Sequence, residues 1–223
     1  MTQAKLFLST SLIAVGVATA TPSFAQDSDL SLSANVAVVS DYRFRGVSLS
    51  QEDVAIQGGL DAGYKGFYVG TWGSSIENFN GAEAEIDVYG GYSFDVDAVT
   101  LDIGVIGYLY PGGTGTDYLE VYGSVGFSLA DVGFTVGANY APDQGNIGGT
   151  DNIYIYTSAE YAIPDTALSL TGSIGYEDGA FGDDKIDWLI GASYGYQQFS
   201  LGVSYVDTND FDGAVVVSLG ASF

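Results

Sequence analysis

The chain has no cysteine and no histidine, and only five of its 223 residues are Lys or Arg. Without Cys and His there is no disulfide, no thiolate and no imidazole, so thiol nucleophiles, His-based general-base catalysis and structural zinc are excluded. A metal site would have to be built from oxygen ligands alone, and no metal or cofactor is expected. The shortage of cations beside 28 Asp and Glu, a net charge of −23, excludes nucleic acid as a partner, because that binding depends on Lys and Arg neutralising phosphates. Charged residues make up 15% of the chain, against roughly 25% in soluble globular proteins. Nor is there a run of about 18 apolar residues after the N-terminus, which excludes a helical membrane protein. What fills the chain instead is 32 Gly, 17 Tyr and 12 Phe.

Lys5 is followed by an apolar stretch from Leu6 to Ala20 and then by Thr21-Pro22-Ser23-Phe24-Ala25-Gln26, a small-x-small exit. This is the pattern of a cleavable signal peptide over 1–25, leaving 26–223 as a single mature domain. The stretch, broken by Ser and Thr, is too short for a spanning helix, which needs about 20 apolar residues.

Beyond residue 27 the hydrophobic period is two. Leu30, Leu32, Ala34, Val36, Val38, Tyr42 and Phe44 share one phase, while Ser31, Ser33, Asn35, Asp41, Arg43 and Arg45 share the other, which reads as one long half-buried strand. The alternation returns near 54–63, 67–76, 82–94, 98–110, 118–128, 132–141, 152–162, 167–176, 185–196, 199–206 and 214–223, giving twelve strands, with ten as the alternative if one hairpin is a loop excursion. Connections of about two to four residues, such as Tyr64-Lys65-Gly66 and Gln197-Gln198, alternate with longer ones rich in Gly and acids. Short turns on one rim and longer loops on the other describe a closed up-and-down antiparallel transmembrane β-barrel, both ends of the mature chain lying on the short-turn side.

A soluble barrel or sandwich would also alternate. The distribution of acids and aromatics separates the two. Asp41, Asp61, Glu83, Glu85, Asp87, Asp102, Glu120, Glu160 and Asp187 all fall on the phase opposite the apolar one. On the apolar phase Phe44, Tyr140, Tyr176, Trp188 and Tyr205 gather toward one rim, and Phe67, Phe94, Phe127, Phe134, Tyr161, Tyr196, Phe199 and Phe223 toward the other. Two aromatic girdles around an aliphatic band match the two interfaces of a bilayer. The chain ends in an alternating strand closed by Phe223, the form of the signal by which outer-membrane barrels are recognised by the barrel-assembly machinery.

The segments Ser40-Asp41-Tyr42-Arg43-Phe44-Arg45-Gly46-Val47-Ser48 and Gly66-Phe67-Tyr68-Val69-Gly70-Thr71-Trp72-Gly73-Ser74 resemble the hallmarks of the TorF-type porins, a Gcw_chp-like Gram-negative outer-membrane family. The specific motifs lie in the first three strands, and the remainder matches in general pattern. The resemblance implies a barrel in the bacterial outer membrane more firmly than it implies a substrate.

Twelve strands give a backbone diameter of roughly 24 Å and a lumen on the order of 10 Å once side chains line the wall. The expected pore-lining residues are the nine acids with Arg43, Arg45, Tyr68 and Trp72; further inward aromatics are Tyr89, Tyr122, Tyr154 and Tyr156. Arg43 and Arg45 are expected to face Glu83, Glu85 and Asp87 across the lumen, or to pair with Asp41 or Asp61. Thirteen further acids, Glu177 among them, are assigned to the longer loops, an acidic rim suited to the divalent ions that bridge lipopolysaccharide phosphates. Two catalytic or metal readings fall away. Glu83 and Glu85 on one strand face read as a charged wall rather than a glycosidase pair, and the segment 207–213 misses the EF-hand spacing. The expected function is passive diffusion of small hydrophilic solutes with a preference for cations, in contact with outer-membrane lipid and lipopolysaccharide and without catalysis. The alternative is a structural or surface-interaction barrel without an open pore.

Overall fold

The computed structural model describes residues 30–223; the signal peptide expected over 1–25 lies outside them. The elements in chain order are β1 (Leu30–Val39), β2 (Arg43–Phe44), β3 (Val47–Ser48), β4 (Ala55–Tyr64), β5 (Phe67–Phe79), β6 (Ala82–Val96), β7 (Val99–Leu109), β8 (Tyr118–Leu129), β9 (Val132–Ala141), β10 (Asn152–Ala162), β11 (Leu168–Gly179), β12 (Gly182–Tyr196), β13 (Phe199–Thr208) and β14 (Ala214–Ser222), with a single 3₁₀ turn at Gly145–Ile147 between β9 and β10. β1 and β4 to β14 pair in sequence order, and β1 pairs with β14, so twelve antiparallel strands close a barrel with no free edge. Closure satisfies every ladder within the wall, the condition for crossing a bilayer with strands.

The period-two reading carries through to the wall. Val36, Val38, Ile56, Leu60, Ile103, Ile190, Val203 and Leu219 are exposed on the outside, while Ala37, Val39, Gln57, Ser204, Val206 and Ser218 are buried on the inside. Leu219 and Phe223 face outward as expected, and Ala221 shares that face, covered by its partners Val36 and Phe199. At the long-loop rim the outward tyrosines are tied to acids: Tyr140 donates to Asp151 at 3.0 Å, Tyr176 to Asp184 at 2.7 Å and Tyr205 to Asp207 at 2.8 Å. An outward face this apolar is the surface of a membrane-spanning barrel. Arginine at Val203, midway along β13, is expected to destabilise the folded barrel by about 2–4 kcal/mol, and arginine at Phe199 by less, because the cost falls toward the interface. Urea unfolding in lipid vesicles measures both; equal costs would contradict this placement.

Three sequence readings are corrected. First, β1 stops at Val39, where Ser40 caps the ladder: its amide donates to the Val217 carbonyl and its hydroxyl accepts from the Val217 amide, both at 2.9 Å. Asp41, Arg43 and Arg45 therefore belong to the first long loop, whose β2–β3 ribbon turns back into the barrel, and not to a wall strand. Tyr42 and Phe44 leave the lipid-facing phase with them. Second, Glu83 is exposed at the rim beside the Asn80-Gly81 turn, apart from the buried Glu85; the ladder between β5 and β6 also shifts register nearby, between Ser75 and Phe79. Third, several strands run past their expected ends, which places Glu177 inside β11 and not in a loop.

Candidate functional site

The site is the lumen, and the loop between β1 and β4 divides it. Asp41 folds that loop on itself by accepting from Arg43 Nε at 2.6 Å, Ser48 Oγ at 2.6 Å and Ser50 Oγ at 3.1 Å. β2 and β3 are joined by Arg45 and Gly46, both at positive φ (+48° and +85°), as a two-residue hairpin of the primed type requires. Gly46 is needed for space as well as conformation, since a Cβ there would lie 2.9 Å from Asp187 Cβ on the wall.

The hairpin reaches the far wall. Arg45 Nη2 meets Glu120 of β8 at 2.6 Å, and Nη1 meets Glu177 of β11 at 2.6 Å. Its guanidinium carbon lies 4.4 Å from the Tyr154 ring centroid and 4.6 Å from that of Phe44. Lys185 Nζ donates to the Arg45 carbonyl at 3.0 Å and pairs with Glu177 Oε2 at 2.5 Å. Burial opposes the Arg45 charge, but the carboxylates of Glu120 and Glu177 outweigh it and hold the guanidinium pKa well above its ordinary value. Arg43 closes the loop toward β14 through the Asp212 carbonyl at 2.8 Å. On the near side Tyr42 donates to Glu85 at 2.7 Å and packs edge-on against Trp72 at 5.4 Å, and Phe44 packs edge-on against Tyr108 at 5.7 Å.

At this level each strand of the barrel contributes a buried inward residue: Val39, Gln57, Ser74, Glu85, Tyr108, Glu120, Asn139, Asn152, Glu177, Asp187, Val206 and Val216. The outer half of the lumen is therefore filled. A small cavity lies against the hairpin, bounded by Arg43, Arg45, Tyr154, Ser173 and Asp187. The short-turn half is different, a vestibule in which Ser33, Asn35, Asp61, Tyr68, Tyr122, Thr171 and Ser193 are half-buried and Glu160 is exposed. Here tyrosines hold the acids: Tyr89 donates to Asp61 at 2.5 Å, Tyr68 to Asp102 at 2.8 Å, and the Tyr68 and Tyr122 hydroxyls lie 2.6 Å apart.

Of the expected pore-lining set, Asp61, Tyr68, Trp72, Glu85, Asp87, Asp102, Glu120, Glu160 and Asp187 lie on the inward phase of wall strands. Asp41, Arg43 and Arg45 enter the lumen on the hairpin, and Glu83 is exposed at the rim of β6. The expected opposition of the arginines to Glu83, Glu85 and Asp87 is replaced by Arg45 bridging Glu120 and Glu177, while Arg43 makes the alternative pair, with Asp41. The sequence reading missed Glu177, Asn139, Asn152 and Tyr108 as members of this network. For Glu177 the usable signal was its phase: Ser169, Ser173 and Glu177 share one face of β11.

A closed twelve-strand barrel with an apolar exterior and a polar, charged lumen is the architecture of porin-type transmembrane β-barrels. The chain belongs to the family described as bacterial protein of unknown function (Gcw_chp), whose model matches residues 24–220. Its fold is similar to that of the KdgM porin, with a TM-score of 0.63 at 9% identity, covering 86% of this chain and 98% of that one. It is also similar to the NanC porin, with a TM-score of 0.54 at 12% identity, covering 86% and 99%. No curated protein matches the sequence.

Proposed function

We propose that this protein is a bacterial outer-membrane channel for passive diffusion of small hydrophilic solutes, with a preference for cations. The observation that carries the reading is the polar lining of the short-turn half of the lumen, where Ser, Asn, Thr, Tyr and Asp side chains are half-buried and Glu160 is exposed, a lining a purely structural barrel does not require. The likeness in fold to porins supports it, as does the resemblance of residues 40–48 to TorF-type porins, since these residues build the hairpin in the lumen. Porins lie in the outer membrane with short turns toward the periplasm, so the vestibule opens inward and the hairpin faces the outside. The acidic rim and its tethered tyrosines suit contact with lipid headgroups and with divalent ions bridging lipopolysaccharide.

The preference follows from charge placement. Asp61, Asp102 and Glu160 line the vestibule, whereas the cations Arg43, Arg45 and Lys185 are ion-paired at or above the hairpin. Fixed carboxylates in a narrow, poorly screened passage concentrate cations and repel anions. In a planar bilayer under a KCl gradient the reversal potential is expected to have the cation-selective sign, and Asp61→Asn combined with Glu160→Gln is expected to move it toward zero. An anion-selective channel, or a double variant identical to the parent, would contradict this assignment.

A closed structural barrel is the second reading, favoured by the filled outer half. Conductance separates the two. Under the channel reading solutes pass when the hairpin shifts from the far wall; a folded barrel that conducts neither as the parent nor with its hairpin released is a structural one.

A further inference from the structure

We propose that Glu120, Glu177 and Tyr154 form a guanidinium-binding site on the channel wall, in which Arg45 sits as an internal ligand that guanidinium groups of solutes displace. The inference deepens the channel reading by naming a solute class, and the site itself can be tested without conductance.

The wall half of the site is organised by groups outside the loop. Tyr108 Oη at 3.2 Å and Asn139 Nδ2 at 3.0 Å hold Glu120 Oε2. Asn152 Nδ2 at 3.0 Å holds Glu177 Oε1, and Lys185 holds its other oxygen. The two carboxylates are thus fixed by β7, β9, β10 and β12 and meet the two terminal nitrogens of one planar fork, while the Tyr154 ring covers its face. That geometry suits a guanidinium better than an ammonium, which has neither the fork nor the flat face. Glu120 and Glu177 are 0% and 1% exposed, and Glu120 Oε1 has no partner, an acceptor left open in a buried site. The loop half is the strained one. Arg45 occupies a left-handed position that hairpins of this kind give to Asn, Asp or Gly, so the turn accepts a disfavoured residue in order to present a guanidinium. A solute group bearing the same fork competes with a strained tether rather than a relaxed one.

The test uses Arg45→Asn, which removes the guanidinium and gives the turn its preferred Asn-Gly sequence. The refolded variant in detergent, its fold checked by heat-modifiable migration, is titrated calorimetrically with methylguanidinium and with tetramethylammonium at equal ionic strength. Methylguanidinium is expected to bind at least about tenfold more tightly than tetramethylammonium, and Glu120→Gln in the same background to weaken it by about tenfold. Equal affinities, or no binding of methylguanidinium, would overturn the proposal. The parent protein gives a second measurement that needs no variant. Amide hydrogen exchange over residues 43–48 is expected to speed up with methylguanidinium and not with tetramethylammonium; exchange that ignores both also overturns it. Bilayer conductance then reports on the channel reading separately. A variant that conducts without binding methylguanidinium keeps the channel and loses the site, and one that binds without conducting keeps the site and loses the channel.

Discussion

Glu177→Ala is expected to lower the stability of the barrel by about 3–5 kcal/mol. Glu177 is 1% exposed and neutralises two cations at once, Arg45 at 2.6 Å and Lys185 at 2.5 Å, while accepting from Asn152 at 3.0 Å. Truncation leaves Lys185 hydrogen-bonded to the Arg45 carbonyl without its carboxylate partner, and Arg45 ion-paired with Glu120 but not Glu177, so charge buried away from water loses much of its compensation. The large cost comes from the orphaned partners, not from the intrinsic worth of the pair. Glu52 is the internal control. It sits 3.5 Å from Arg43 with its side chain 68% exposed, and Glu52→Ala is expected to change stability by no more than about 0.5 kcal/mol. Urea midpoints of the two variants in lipid vesicles, compared with the parent, measure the difference. Equal shifts would mean that the outer half of the lumen is hydrated and that Arg45 does not hold the hairpin to the far wall.

Deleting Phe223 is expected to remove most of the protein from the outer membrane, where Asp61→Asn leaves it near the parent level. The physical ground is the seam. β1 and β14 pair only over residues 35–39 of β1, the shortest ladder in the barrel. Phe223 extends it, its amide donating to the Ala34 carbonyl at 2.8 Å and its carbonyl accepting from the Ala34 amide at 3.0 Å, and the residue is exposed on the lipid face. Deletion removes both hydrogen bonds where closure is weakest, together with the terminal aromatic that we propose the assembly machinery reads. Asp61 only accepts from Tyr89 inside the vestibule, so its replacement leaves the wall intact. Heat-modifiable protein in outer-membrane fractions measures the outcome; equal levels of the two variants would remove Phe223 from this role.

The architecture was legible because it rests on a local rule. Successive side chains of a strand point to opposite faces, so a wall with lipid on one side and a polar lumen on the other writes itself into the chain residue by residue, and loop lengths add the rims. Strand number, outward Leu219 and Phe223 and the inward placement of Asp61, Glu120 and Asp187 all follow from that rule. The hairpin in the lumen does not. The β2–β3 ribbon is itself extended, so Tyr42 to Arg45 keep the alternation of β1 beyond its end, and only Gly46 marks the reversal. Glu83 differs for another reason: it shares the phase of Glu85 and Asp87 but lies at the rim beside the Asn80-Gly81 turn, where it is exposed.

By itself, then, the sequence determined a membrane barrel, its strand order, which face of each strand meets lipid, and an acidic interior without His or Cys chemistry. Only the tertiary structure decided that Arg43 and Arg45 leave the wall, that Arg45 crosses the lumen to Glu120 and Glu177, and that the inward residues are buried in the half beside the hairpin and half-buried in the short-turn half. The contacts of the hairpin join residues as far apart as 169 positions in the chain. Their partners are fixed by barrel closure and strand register, which no local pattern encodes.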